Sequence, residues 1–235
     1  MKYSIITIDD RRKAYKDKLI EKMGQEPEGL PSIDGRTINW VEMTDGLNIP
    51  RQEWTPTQGE GGVWLSNFLH WDAISKYDEP VIIFEDDAIV MDTFYDNIDI
   101  MMEQLPEDWD YFALWVPDNQ RQDYMYNVTY DIHGLPQIRG YVRYEGESCF
   151  NIGANHIAKV YQGYGLVATM YSPRGAQKLV DLARRHGIYT PVDCFIHDRA
   201  HAKELEGFAP KPHYLSLITY DWPETTVHNT ERMVL

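Results

Sequence analysis

Short β-branched runs alternate along the chain with longer stretches that carry a helical repeat, and this alternation predicts the fold class. Tyr3 to Ile8 reads as the first strand. A helix is predicted from about Asp10 to Met23, with Tyr15, Leu19, Ile20 and Met23 on one face and Gly24 as its stop. Asp34-Gly35 is a turn signal, and Thr37 to Val41 reads as a second strand. Residues 44–62, rich in Gly, Pro, Thr and Gln, read as a flexible loop. A second helix is predicted over roughly Gly61 to Tyr77, with an apolar band of Val63, Leu65, Phe68, Leu69 and Ala73. The apolar run from Pro80 to Phe84 is a buried strand, followed by a helix near Thr93–Gln104 and a strand at Tyr111–Val116. Such a succession argues for an α/β fold with a mostly parallel sheet flanked by helices.

Residues 117–163 break the pattern. They are rich in Tyr, Gly, Asn and Asp without a helical period, and read as hairpins and loops over a cleft. Order returns with a strand at Gly165–Tyr171. The helix after it is well marked: Ser172 caps it, Pro173 takes its first position, and Ala176, Leu179, Val180 and Ala183 share a face. Arg184, Arg185 and His186 complement the dipole at its end, and Gly187 stops it. No repeat, low-complexity linker or composition shift divides the chain, so residues 1–235 are read as one domain with an irregular insert at about 117–163.

Composition narrows the partners. A formal net charge of −15 disfavours a broad grip on polyanions but suits a small anion held through a divalent cation. No apolar stretch is long enough to span a membrane. The opening apolar run is too short for a signal-peptide core, so the chain reads as cytoplasmic. Cys149 and Cys194 are the only cysteines and read as reduced thiols rather than a disulfide framework. Asn127-Val128-Thr129 fits a glycosylation acceptor pattern that carries weight only in a secreted chain.

The candidate chemistry sits where the strand Val81–Phe84 ends in Glu85, Asp86 and Asp87. Ligands of open α/β sheets lie beyond the carboxyl ends of the strands. Three carboxylates there repel one another unless a cation neutralises them, and hard oxygen ligands suit Mg²⁺ or Mn²⁺ shared with substrate phosphates. The plain alternative is a solvated acidic turn. His197 and His201, spaced i, i+4, have one-face metal spacing, but the run between them lacks the acid of a zinc-protease helix.

Several pieces, taken in order, resemble glycosyltransferase family 25, the group of bacterial lipooligosaccharide galactosyltransferases and collagen galactosyltransferases. They are Ile5-Ile6-Thr7-Ile8-Asp9 with Arg11 and Arg12; Gly59-Glu60-Gly61-Gly62 leading to Leu65-Ser66 and Trp71; Phe84-Glu85-Asp86-Asp87-Ala88; Tyr171-Ser172-Pro173-Arg174-Gly175-Ala176 with Leu179; and Pro191-Val192-Asp193. Asn67 stands where the family pattern has His after Ser. The resemblance implies a Rossmann-like nucleotide-diphospho-sugar transferase fold of the GT-A type. It also implies a Mn²⁺- or Mg²⁺-dependent transfer from a nucleotide-sugar donor, UDP-linked, with inversion. By the same resemblance Asp87 is the metal ligand, and Glu85 and Asp86 face the donor. Asp9 and Arg12 lie where a uridine or diphosphate would rest, and Gly61, Gly62 and Ser66 line the phosphate approach. Asp193 is the implied base, with Asp198 its nearest rival. His197, His213 or His228 would complete the metal site. The acceptor is left open among a glycan, a protein and, in a phage-type enzyme, a hydroxylated DNA base. A non-catalytic nucleotide-sugar or glycan-binding module is the alternative of another class.

Overall fold

A computed structural model describes residues 1–8, 12–115, 128–130, 136–138, 143–144, 156–162, 165–210 and 217–220. Its centre is a seven-stranded mixed sheet. In spatial order it comprises β1 (Lys2–Ile6), β2 (Val81–Glu85), β9 (Ala168–Tyr171), β4 (Tyr111–Ala113), β10 (Gly207–Pro210), β8 (Ile157–Gln162) and β7 (Arg143–Tyr144). β1 pairs with β2 in parallel, and β4 with β10. β9 runs antiparallel between β2 and β4, and β8 runs antiparallel between β10 and β7. β1, β2, β4, β10 and β7 therefore share one direction, the mostly parallel α/β arrangement predicted, with β9 reversed in its middle. Part of the irregular insert thus adds strands to the main sheet. β5 (Val128–Tyr130) and β6 (Pro136–Ile138) pair antiparallel as a separate two-stranded sheet.

Alternation along β2 divides the core. Val81 and Ile83 point to a cluster with α3 (Gln58–Ile74), α5 (Pro173–His186) and α6 (Val192–His201). Ile82 and Phe84 point the other way, to α1 (Lys13–Met23) and α4 (Phe94–Met102). The first cluster is built on Trp64, which meets Trp71 and Phe195 edge-on at 5.9 and 5.4 Å between ring centroids. No helix among the described residues is long and apolar enough to cross a membrane.

Local signals explain most boundaries. Gly24 ends α1 in the left-handed conformation. Ser172 caps α5, its Oγ accepting from the Gly175 amide at 2.9 Å and donating to the Trp109 carbonyl at 2.9 Å.

Two expectations fail here. Thr37–Val41 is not a strand, because the Asn39 side chain accepts the amides of Val41 and Glu42 at 3.1 and 3.3 Å and starts α2 (Trp40–Gly46). Trp40 and Thr44 are then buried on one helical face. The stretch 44–62 is not all loop either, since Thr57 and Glu60 close a capping box that starts α3 at Gln58.

Candidate active site

The carboxyl ends of β1 and β2 lie side by side, with Ile6 paired to Glu85. The start of β9 completes this edge, the Val167 carbonyl accepting the Glu85 amide at 2.9 Å. β2 is buried from Val81 to Phe84, and its sequence then turns to three acids. The turn divides them. Glu85 continues the strand's alternation on the face of Ile83, toward α6, whereas Asp86 and Asp87 meet Arg12 at the start of α1.

One nitrogen of Arg12, Nη1, bridges Asp86 Oδ1 at 3.0 Å and Asp87 Oδ2 at 2.8 Å. The three side chains are only 13%, 12% and 4% exposed. Burial works against the Arg12 charge, but Asp87 and Asp86 outweigh it and hold its pKa above the ordinary value. The Asp87 carboxyl is raised, chiefly by burial and with Arg12 opposing. Its Oδ1 is buried without a hydrogen-bond partner. Glu85 is pushed up to about 8 by burial, then by the charges of Asp87, Asp193 and Asp86, with Arg12 working against them.

Asp193 reaches this edge from the first turn of α6, where Pro191 and not Asp193 holds the cap position. Its Oδ2 accepts the Gly165 amide at 2.8 Å and its Oδ1 the Cys194 amide at 2.8 Å. Gly165 sits at φ +84°, and a Cβ there would lie 3.0 Å from the Trp115 ring. Glycine is therefore required just where Asp193 anchors the approach to β9. Gly165 is a site residue that the sequence reading passed over, and a glycine opening an apolar strand was the available signal.

His197 lies one turn beyond Asp193, buried, with Nδ1 3.4 Å from the Tyr111 hydroxyl. Burial lowers its pKa to about 4 against the pull of Asp193. Asp198 is exposed and accepts from the Tyr189 hydroxyl at 3.1 Å, whereas the charge of Asp193 acts on Glu85. His201 is exposed while His197 is buried, which separates the i, i+4 histidines. The Cys194 thiol, free of any disulfide, is pushed up to about 12, mainly by burial and then by Asp193.

Gly61, Gly62 and Ser66 lie buried in the opening turns of α3. The Gly61 amide donates to the Thr57 carbonyl at 2.9 Å. A Cβ on Gly62 would come within 2.6 Å of the Ile33 carbonyl oxygen and 2.8 Å of the Gly35 nitrogen. The Ser66 hydroxyl donates to the Gly62 carbonyl at 2.7 Å and accepts the Ile33 amide at 2.8 Å. These contacts fasten residues 33–35 to α3. Asn67 donates to the Val63 carbonyl at 3.0 Å, and an imidazole does occur one turn later. His70 bridges Ser4 Oγ at 3.1 Å and the Pro31 carbonyl at 3.2 Å, tying β1 to the segment beside it.

Asp9, His213 and His228 lie outside the described residues. Among the described residues no group of three or more His, Cys, Asp or Glu side chains is arranged to hold a metal ion. The feature that fits a cation is narrower: hard carboxylate oxygens, one of them buried and without a partner at Asp87.

The buried imidazoles set an acid limit to stability. Burial takes His70 from 6.5 down to about 4. Between those values the unfolded chain binds a proton that the folded chain excludes, so stability is complete above 6.5 and is lost as pH falls toward 4. Glu85 has the opposite sign, its cost growing as pH rises from 4.5 toward 8. Comparing His70→Gln with the unsubstituted protein isolates the imidazole. The difference in unfolding free energy should change by up to about 1.4 kcal/mol per pH unit across this window and be flat above it. Denaturant titrations at stepped pH measure this, and a pH-independent difference would contradict the assignment.

The fold and this edge define a class, a Rossmann-like α/β protein with an acidic turn after the inner strand of a parallel pair at one side of its sheet. Residues 2–196 match glycosyltransferase family 25, described as an LPS biosynthesis protein family, and the chain belongs to that family. It is similar over 84 residues, at 32% identity, to the "Probable inactive glycosyltransferase 25 family member 3" of Rattus norvegicus. Over 84 residues it is 30% identical to the "Inactive glycosyltransferase 25 family member 3" of Mus musculus. Each match takes in 32% of this chain, and the chain spans only 15% and 14% of those relatives' lengths.

Proposed function

We propose that the protein is a glycosyltransferase that moves a sugar from a nucleotide-sugar donor, UDP-linked, to an acceptor hydroxyl with inversion. The observation that carries this reading is the convergence of Glu85–Asp87, Arg12 and Asp193 at the carboxyl ends of β1 and β2, in a member of family 25. Ligands of open α/β sheets occupy that edge. Asp87 would hold Mn²⁺ or Mg²⁺ through its buried, unpartnered Oδ1, with donor phosphates supplying further oxygens. Such a cation supplies Lewis-acid stabilisation to the departing diphosphate.

The remaining work falls to the chain. Arg12 contributes positive charge beside the diphosphate. Asp86 and Glu85 face the donor, where carboxyl oxygens can accept hydrogen bonds from sugar or ribose hydroxyls. Asp193, fixed by the Gly165 and Cys194 amides, takes the proton of the acceptor hydroxyl as it attacks the anomeric carbon. Gly62 and Ser66 act at one remove, holding residues 33–35 beside β1.

A second reading has a specific observation behind it, since both relatives named above carry the word inactive. In that reading the chain is a donor-binding module without turnover. Calorimetric titration of UDP in the presence of Mn²⁺ tests what the two readings share: saturable binding that weakens at least 10-fold in Asp86→Asn supports a donor site at this edge. Absence of binding contradicts both.

A further inference from the structure

We propose that Arg12 is a resident counter-ion that must leave Asp87 before a divalent cation is held there, and that a nucleoside diphosphate draws it away. The inference rests on the donor site of the preceding section and goes beyond it by coupling the two ligands through one side chain. Arg12 Nη1 lies 2.8 Å from Asp87 Oδ2 and 3.0 Å from Asp86 Oδ1, so one guanidinium offsets part of the charge of both carboxylates. All three side chains are largely buried, and water screens their charges weakly. A doubly charged ion on the same carboxylate would face the guanidinium at close range, and that repulsion opposes its binding.

Two features make the site open to exchange rather than closed. Asp87 is 3% exposed, yet its Oδ1 has no hydrogen-bond partner, an arrangement that costs free energy until a ligand supplies one. Arg12 opens α1 without a side-chain capping bond, so its retreat from the carboxylates breaks no helix cap. Diphosphate is the ligand chemistry that would move it, because the planar guanidinium fork matches phosphate oxygens and pairs with them bidentately. Once Arg12 turns to the diphosphate, both oxygens of Asp87 become available. Cation and nucleotide should then bind as a coupled pair, each raising the other's affinity by the same factor.

The test is calorimetry with Mn²⁺ alone, UDP alone and the two together. The unsubstituted protein should bind Mn²⁺ weakly alone and at least 10-fold more tightly with saturating UDP. Arg12→Gln should bind Mn²⁺ alone at least 10-fold more tightly than the unsubstituted protein, lose most of the coupling to UDP, and melt at a lower temperature that Mn²⁺ restores. Arg12→Lys, which keeps the charge on a smaller head, provides an intermediate should the glutamine variant not fold. Adding Asp87→Asn to either variant should remove the gained Mn²⁺ binding. Unchanged Mn²⁺ affinity in both Arg12 variants, or equal affinity with and without UDP, would overturn the exchange while leaving the donor site standing. Failure of Mn²⁺ to bind any of these proteins even with UDP would overturn the exchange and the cation-assisted reading together.

Discussion

Asp193→Asn is expected to lower the kcat of sugar transfer about 10²- to 10⁴-fold, the range a positioned general base contributes. The substitution is chosen for what it spares. An asparagine oxygen can still accept the Gly165 amide, which the aspartate holds at 2.8 Å, so the approach to β9 should keep its path, while the bond from the Cys194 amide to the other carboxylate oxygen is given up. What is lost is a carboxylate able to take a proton. In the proposed reading the donor is held by Glu85–Asp87 and Arg12, so its KM should change little and the loss should fall on kcat. Asp198→Asn serves as the contrast. That residue is exposed and bound to the Tyr189 hydroxyl, and its substitution should leave kcat within about twofold. Equal losses in the two variants would remove Asp193 from the role of base.

A large loss of stability is expected from Gly175→Ala. A Cβ at that position would lie 2.0 Å from the carbonyl oxygen of Asp110 and 2.6 Å from its Cα. The obstacle is backbone, and the backbone is fastened on both sides. The Ser172 amide donates to the Asp110 carbonyl at 3.1 Å, and Ser172 Oγ reaches the Trp109 carbonyl. The buried Asp110 carboxylate accepts from Lys178 Nζ at 2.7 Å and from the Glu206 amide at 2.8 Å, joining α5 to the residue that leads into β10. Relief requires moving that assembly, so the cost should reach about 3 kcal/mol, the upper part of the usual overpacking range. For a chain of this size that corresponds to a fall in Tm of roughly 6–12 °C. Gly46→Ala meets nothing within 4 Å and should shift Tm by less than about 2 °C. A Gly175→Ala variant as stable as the parent would show that α5 does not seat on Asp110 as described.

Features set by neighbouring residues were legible in the sequence. The α5 cap, the Gly24 and Gly187 stops and the apolar run of β2 each depend on a few adjacent positions. Where two local signals competed, the outcome was decided by a hydrogen bond. At 37–41 the β-branched residues pointed to a strand, but Asn39 caps two amides and the helix forms. The capping box of Thr57 and Glu60 was equally local and gives the true start of α3.

What could not be read were relations between distant segments. The reversed direction of β9 depends on its pairing with β2 and β4 and leaves no mark in its own sequence. The contact of Arg12 with Asp86 and Asp87 crosses 74 and 75 residues. Position at the end of the first strand put Arg12 where a diphosphate would rest or, failing that, on a solvated helix face, and the geometry shows it gripping the acidic turn. The same limit applies to the family motifs themselves. Ser172 and Gly175 mark the seat of α5 on Trp109 and Asp110, and Gly62 and Ser66 the seat of residues 33–35, so part of that pattern records packing.

In the proposed function the acidic turn at Glu85–Asp87 makes this protein a cation-assisted glycosyltransferase. Release of UDP from UDP-sugars by the purified protein, followed with and without Mn²⁺ and in Asp87→Asn, tests it most directly. Release should require the cation and fall at least 100-fold in Asp87→Asn, with the variant's fold intact by circular dichroism. Release at the full rate without a divalent cation, or undiminished in Asp87→Asn, would contradict it.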